Sequence, residues 1–393
     1  MTRVLLFCLL VTGCERCTSR GPSADAGDAG SAPFEVGTPA KIAPPALAPI
    51  DGYQGYGLPS GCRFEGPVQK ATLPEGRTRF VAPRERLGAL ALAHAAAAIS
   101  AGFFDAASRT VNEAPWAELD APPLFEHAES RWLGAWIGAT ASGTRRALLW
   151  RGGKLAEPLA EGDQLELSDF ACAGDDCAVL SHLVRGAAAP GASWLAGKAG
   201  QPAAEWRRVD LDLGGDEPWL PLAIASIEPG GSGWAALSSG KHVALFRVDG
   251  ARAEKKHSFD APHGAYDATV APEPVAVAPG AAPDRPCGAE PFPVVLMTAQ
   301  GKRHVLDTAA PPESVIARPL AKGALVGWVA RVACQHLDRR VIQLTRLDAS
   351  GAPASSTMGV ADATGFALST RGSELALWLV NGRELALIRG RCD

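Results

Sequence analysis

The sequence of 393 residues predicts an all-β fold, a β-propeller of about seven blades behind a disordered N-terminal tether, with six or eight blades as the alternatives. Three observations predict it. Short apolar segments recur at 87–95, 131–139, 177–184, 233–239, 293–299, 325–333 and 374–380, on average about 48 residues apart. Most are followed one turn later by a second segment that mixes aliphatic residues with Arg, at 146–155, 242–251, 340–351 and 384–391. Both faces of these segments are apolar. Val243, Leu245 and Arg247 share one face and Ala244, Phe246 and Val248 the other, which suits strands sandwiched between sheets. A repeat of this length built from paired strands is the pattern of a four-stranded propeller blade. A pair of β-sandwiches is the rival, and the regular spacing disfavours it.

At the N-terminus, Arg3 precedes an apolar run from Val4 to Val11, and Thr12 and Gly13 lead to Cys14. A run of about eight residues is too short to span a bilayer, which takes about 20, so it reads as an export signal over residues 1–13. It resembles the lipobox of bacterial lipoproteins, with Val11 where Leu is commoner. That resemblance implies a lipidated Cys14 that anchors the protein to a membrane. Glu15 is not the Asp that favours inner-membrane retention in enteric bacteria, so the outer membrane is expected. Residues 14–60 are rich in Ala, Gly, Pro and Ser and carry no aliphatic periodicity. They cannot bury enough apolar area to offset the entropy of ordering, and they read as a tether.

The domain is expected over residues 61–393. Its pattern resembles the divergent propellers of bacterial surface lipoproteins, though no WD or Kelch signature supports the likeness. Leu87 to Gly102 is Ala-rich enough for a helix, but it opens with the rhythm of the other segments and is read as a strand pair. Asn381-Gly382 is the strongest hairpin dipeptide in the chain. The stretch 271–293 reads as a long Pro-stiffened loop and a candidate contact element.

The chain has nine cysteines. Cys8 leaves with the signal, Cys14 takes the lipid and Cys17 is left over near the anchor. An exported location is oxidising, so the other six are expected in disulfides. Cys172 and Cys177 flank a turn sequence and would staple one hairpin. Cys62 and Cys392 lie at the two ends of the domain, where a ring must close, and would clamp it. Cys287 and Cys334 then pair by elimination.

A net charge of −4 with no basic stripe lacks the footprint of nucleic-acid binding. No catalytic set or metal site is assigned. Ser238-Ser239-Gly240-Lys241 matches S-x-x-K in form, but it lies between two strand-like runs and reads as a hairpin. Asp210, Asp212 and Asp216 lack the spacing of a calcium loop. His257, Asp260 and His263 fit neither a helix face nor a zinc knuckle. Cys334 and His336 are closer to a disulfide and its neighbour than to a ligand pair. Trp132, Trp136, Trp234, Trp328 and Trp378 recur with the segments and read as core. Trp116, Trp206 and Trp219 lie in looser sequence and read as the exposed anchors, suited to stacking on sugar rings.

Two functions are weighed. The favoured one is a tethered, monomeric binding or scaffold module without cofactor, whose partner is an envelope protein or polysaccharide. The alternative is a hydrolase or lyase acting on envelope polysaccharide or peptide, its residues scattered over several blades.

Overall fold

The computed structural model describes residues 48–50, 57–72, 77–81, 87–95, 98–105, 124–128, 131–139, 144–151, 156–162, 165–183, 191–211, 219–239, 241–250, 252–260, 267–270, 274–279, 292–308, 312–331, 340–355 and 358–393. Cys14, Cys17, Cys287 and Cys334, Trp116, and the signal read over residues 1–13 all lie outside them.

The chain begins with β1 (Ala48–Ile50), β2 (Cys62–Phe64) and β3 (Val68–Thr72), which belong to the last blade. The first blade holds β4 (Arg77–Val81), β5 (Gly88–Ala95) and β6 (Ala98–Asp105). The second runs β7 (Leu124–Ala128), β8 (Arg131–Ala139), β9 (Arg145–Arg151) and β10 (Glu157–Gly162). The third runs β11 (Leu165–Ala173), β12 (Asp176–Leu183), β13 (Ala192–Lys198) and β14 (Arg207–Leu211), with a 3-10 turn at Ala203–Glu205. The fourth has β15 (Leu220–Ile227), β16 (Gly233–Ser238), β17 (His242–Asp249) and β18 (Arg252–Asp260). The fifth has β19 (Asp267–Val270), β20 (Pro274–Pro279), β21 (Phe292–Thr298) and β22 (Arg303–Thr308). The sixth has β23 (Pro312–Leu320), β24 (Gly323–Arg331), β25 (Arg340–Leu347) and β26 (Met358–Asp362). The seventh closes with β27 (Gly365–Arg371), β28 (Glu374–Asn381) and β29 (Glu384–Cys392).

Every strand pair is antiparallel, and the first strand of each blade is innermost. Neighbouring innermost strands touch from β7 through β11, β15, β19 and β23 to β27, and β27 touches β4. The chain folds as a seven-bladed β-propeller. The last blade is made by both ends of the domain: β29 pairs with β28 on one side and with β2 and β3 on the other. Cys62 and Cys392 face each other in that register and form a disulfide. Cys172 and Cys177 do the same across the β11–β12 hairpin. Both pairings match the sequence expectation. Strand β1 falls within the stretch read as tether and adds to the edge of β3.

The two-faced apolar pattern explains the packing. Ala244, Phe246 and Val248 join residues of the third blade in one cluster. Val243 and Leu245, one residue out of phase, join the fifth blade in another. The fifth and sixth blades share a third cluster around Trp328, and the sixth and seventh a fourth around Leu344 and Leu377. The core is therefore a series of layers between blades rather than one mass.

Several expectations change. Six of the seven recurrent segments are second strands, each preceded by an innermost strand; 293–299 is instead the third strand of its blade. Residues 271–293 are not one loop. Pro274–Pro279 is a strand whose Val275, Ala276, Val277 and Ala278 are fully buried. Its prolines stand at the two strand ends, where a missing N–H costs least. Trp206 and Trp219 are not exposed anchors but 7% and 2% accessible. Trp206 lies over Gly197, where a Cβ would collide with its ring, and Trp219 meets Phe246 edge-on. Leu87 to Gly102 contributes β5 and β6, the expected strand pair. The hairpin at Asn381-Gly382 forms one residue later than the dipeptide suggests. Asn381 pairs with Glu384, and Gly382, at φ +58°, opens the turn. Asn381 instead accepts a hydrogen bond from the Thr364 N–H.

Candidate functional site

The innermost strands carry the polar residues that interrupt the apolar pattern. Asp169 lies on β11. Its Oδ1 accepts the Phe170 N–H at 2.9 Å, and its Oδ2 accepts the Ile224 N–H of the next innermost strand at 2.6 Å. Asp267 repeats the arrangement two blades on. It accepts from the N–H groups of Ala268 at 2.8 Å and Ala317 at 2.9 Å. Arg318 then donates to Asp267 at 3.3 Å and to the Leu368 carbonyl of β27 at 3.0 Å. The two side chains are only 12% and 13% exposed. These groups stitch blade to blade, since a buried backbone N–H that lacks a strand partner needs another acceptor. Their chemistry is spent on holding the ring.

A second group of polar residues sits where the innermost strands begin. Glu166 on β11 pairs directly with His182 on β12, and the ladder then skips Ser168, so that Asp169 opposes Leu180. This β-bulge re-aims the side chain of Ser168. The Ser168 hydroxyl lies 3.0 Å from His182 Nδ1, and Glu166 Oε2 lies 3.6 Å from His182 Nε2. Arg145, at the start of β9 in the second blade, reaches Glu166 Oε1 at 3.3 Å and the Leu165 carbonyl at 3.5 Å. Leu165 itself packs on Ile137 and Ala147, with Leu167 at the margin. A serine, an imidazole and a carboxylate thus stand close together on the face of the third blade that carries Ala178 and Leu180, opposite the face that bears Leu165 and Leu167.

Burial holds the His182 imidazole below the usual value of 6.5, against the opposing pull of the Glu166 carboxylate. Burial and Lys302 lower His304 in the same direction, while Asp348 opposes them. A histidine with a lowered folded value favours the folded state above 6.5 and loses that contribution as the pH falls. Stability is therefore expected to decline from pH 7 into the range below 6.5. A separate decline belongs near the ordinary aspartate value of 3.8. Asp210 is held low there by hydrogen bonds from Ser193 and Arg208; at Asp348 burial pushes upward but is outweighed by the hydrogen bonds of Ser350 and Ala352. Urea midpoints measured from pH 7.5 to 5, compared with those of His182→Gln, check the histidine step. A wild-type curve that is flat across that range contradicts it.

The residues singled out in the sequence are not brought together in this way. Ser238 is buried within β16, and the Ser239 hydroxyl accepts the His242 N–H in the following hairpin. Asp210 stands at the end of β14, accepting from Ser193 and Arg208 at 2.7 Å each, and Asp212 and Asp216 lie outside the described residues. Asp260 pairs with His242 at 2.9 Å rather than with His257, which lies beside Gly301 of the next blade. His263 and His336 lie outside the described residues. Among the described residues no group of three or more His, Cys, Asp or Glu is placed to hold a metal ion. Sequence reasoning missed Ser168, His182 and Glu166. Their signal was the hairpin centred on Gly174-Asp175, which sets β11 against β12, but the bulge that fixes the register is not visible in the residues.

No family model matches the chain, and no curated protein matches it. Solved structures similar to it are low in identity. One is a Pyrococcus horikoshii acylaminoacyl peptidase, 10% identical, covering 78% of this chain and 52% of that one, with a TM-score of 0.48. Another is a Trypanosoma rangeli sialidase, also 10% identical, covering 82% and 59%, with a TM-score of 0.43. A third is a subtype N10 neuraminidase-like protein of A/little yellow-shouldered bat/Guatemala, 10% identical, covering 84% and 99%, with a TM-score of 0.39. The chain thus spans little more than half the length of two of these. Nothing about the site is taken from them.

Proposed function

We propose that the protein is a lipid-anchored component of a bacterial envelope, held at the outer membrane through Cys14, whose propeller captures an envelope protein or polysaccharide. The observation that supports this best is the pairing of Cys62 with Cys392 at the closure of the ring. A structural disulfide suits an exported, oxidising setting, in agreement with the signal-like first 13 residues. The clamp, the layered core and the aspartate stitching make a stiff platform. A stiff platform loses little entropy when its loops engage a partner. Asp169, Asp267 and Arg318 support binding rather than chemistry at the ring centre, because they serve backbone groups.

Two experiments test the reading. Cys14→Ser is expected to move the protein from the membrane to the soluble fraction and to block its processing; a variant still processed and still membrane-bound contradicts the anchor. Cross-linking in intact envelopes is expected to yield one recurrent partner, and its capture is expected to survive single polar substitutions at the innermost strands. Loss of capture in such folded variants contradicts a loop-borne surface.

A further inference from the structure

We propose that Ser168 is an activated nucleophile that cleaves small acyl esters, with His182 as its general base and Glu166 as the residue that positions the imidazole. The inference is independent of partner capture and rests on geometry. For the Ser168 hydroxyl to donate to Nδ1 at 3.0 Å, the imidazole must carry its proton on Nε2. That N–H faces the Glu166 carboxylate at 3.6 Å, an orienting and charge-stabilising distance that a bound substrate can shorten. Arg145 holds the other carboxylate oxygen and fixes the direction from which Glu166 acts. The chain thus sets nucleophile, base and orienting group in series. The order of roles, rather than sequence position, defines such an arrangement.

Two further features fit. Ser168 is the residue that the β11–β12 ladder skips, and bulges of this kind re-aim side chains beside active sites. The imidazole is half-buried, and burial keeps it neutral at neutral pH, the state a general base requires. Arg145 pairs with Glu166 at 3.3 Å, and the two charges offset each other. His182 shares its face of β12 with Leu180 and Ala178, which are buried in the apolar cluster between the third and fourth blades. An uncharged ester with a short aliphatic acyl group matches this setting.

The step balances without a co-reactant other than water. The Ser168 oxygen bonds to the carbonyl carbon while its proton passes to His182. The alkoxide leaves with that proton as the alcohol. Water, deprotonated by the same imidazole, then attacks the acyl-serine, and the carboxylic acid departs as the hydroxyl is restored.

The test uses the full chain with a fluorophosphonate probe and p-nitrophenyl butyrate. In labelling, the serine oxygen bonds to phosphorus, fluoride leaves and the proton goes to His182. The expected result is one adduct, mapped to Ser168, absent in Ser168→Ala and in heat-unfolded protein. His182→Gln, shown to be folded by its disulfide map and circular dichroism, is expected to label at least about 100-fold more slowly, the usual reach of general-base catalysis. The labelling rate is expected to rise with pH and level off below 6.5. Glu166→Gln is expected to displace that profile, which a purely structural role would leave in place. No adduct on the folded protein, an adduct elsewhere, or folded His182→Gln that labels at the wild-type rate each overturns the proposal.

Discussion

Replacing Cys62 and Cys392 together by serine is expected to lower the unfolding free energy by about 5 kcal/mol, the largest effect of any cysteine change in the described chain. The bond spans 330 residues, and the entropy removed from the unfolded chain grows with the closed loop. The Cys172–Cys177 bond spans five residues and is expected to contribute about 2 kcal/mol on the same argument. Thermal unfolding of the two double-serine variants, each without reductant, checks the ranking. Equal midpoints for wild type and the Cys62/Cys392 variant would mean that strand pairing alone closes the ring. The pairing is not trivial: β29 meets β3 over Glu384 to Leu387 and β2 over Gly390 to Cys392.

Asp267→Ala is expected to cost about 3–5 kcal/mol, because it strands both a buried guanidinium and two backbone N–H groups. Arg318 would keep its bond to the Leu368 carbonyl but lose its counter-charge in a site where it is 12% exposed. The Ala317 N–H would lose the acceptor that joins β23 to β19. A double variant, Asp267→Leu with Arg318→Met, is expected to recover part of the loss, since apolar replacement removes the uncompensated charge. Urea unfolding of the single and double variants checks both statements. A single variant within about 0.5 kcal/mol of wild type, the range of ordinary surface changes, would mean that the aspartate does not hold the ring.

The fold was legible because its core layers repeat. Segments such as 233–239 and 242–251 are apolar on both faces, and only sandwiched sheets demand that. The ring-closing disulfide was legible from position alone, since a closed ring must bring Cys62 to Cys392. The innermost strands were not. Several carry Glu, Ser, Asp and Arg where an isolated strand would carry aliphatics, because the adjoining innermost strands supply hydrogen-bond partners. The sequence of β11, Leu-Glu-Leu-Ser-Asp-Phe-Ala-Cys-Ala, hides its alternation behind the bulge at Ser168. β20 was lost for another reason: the Pro-Val-Ala-Val-Ala-Pro run is short and bounded by the residues that normally mark loops. Trp206 and Trp219 misled because burial in a propeller depends on the adjoining blade, which local sequence does not contain. The candidate site was invisible for the same reason, since it needs a register shift between β11 and β12 and a side chain from β9.

The position of Cys62 has a mechanical meaning. It lies between β1 and β3, so a pull on the chain from its N-terminal side first unzips the three residues of β1 from the sheet edge. The load then arrives at a covalent bond to the last strand. β3 lies beyond that bond along the chain and is shielded from peeling. A pull applied there meets the strength of a covalent link rather than that of the four residue pairs between β3 and β29.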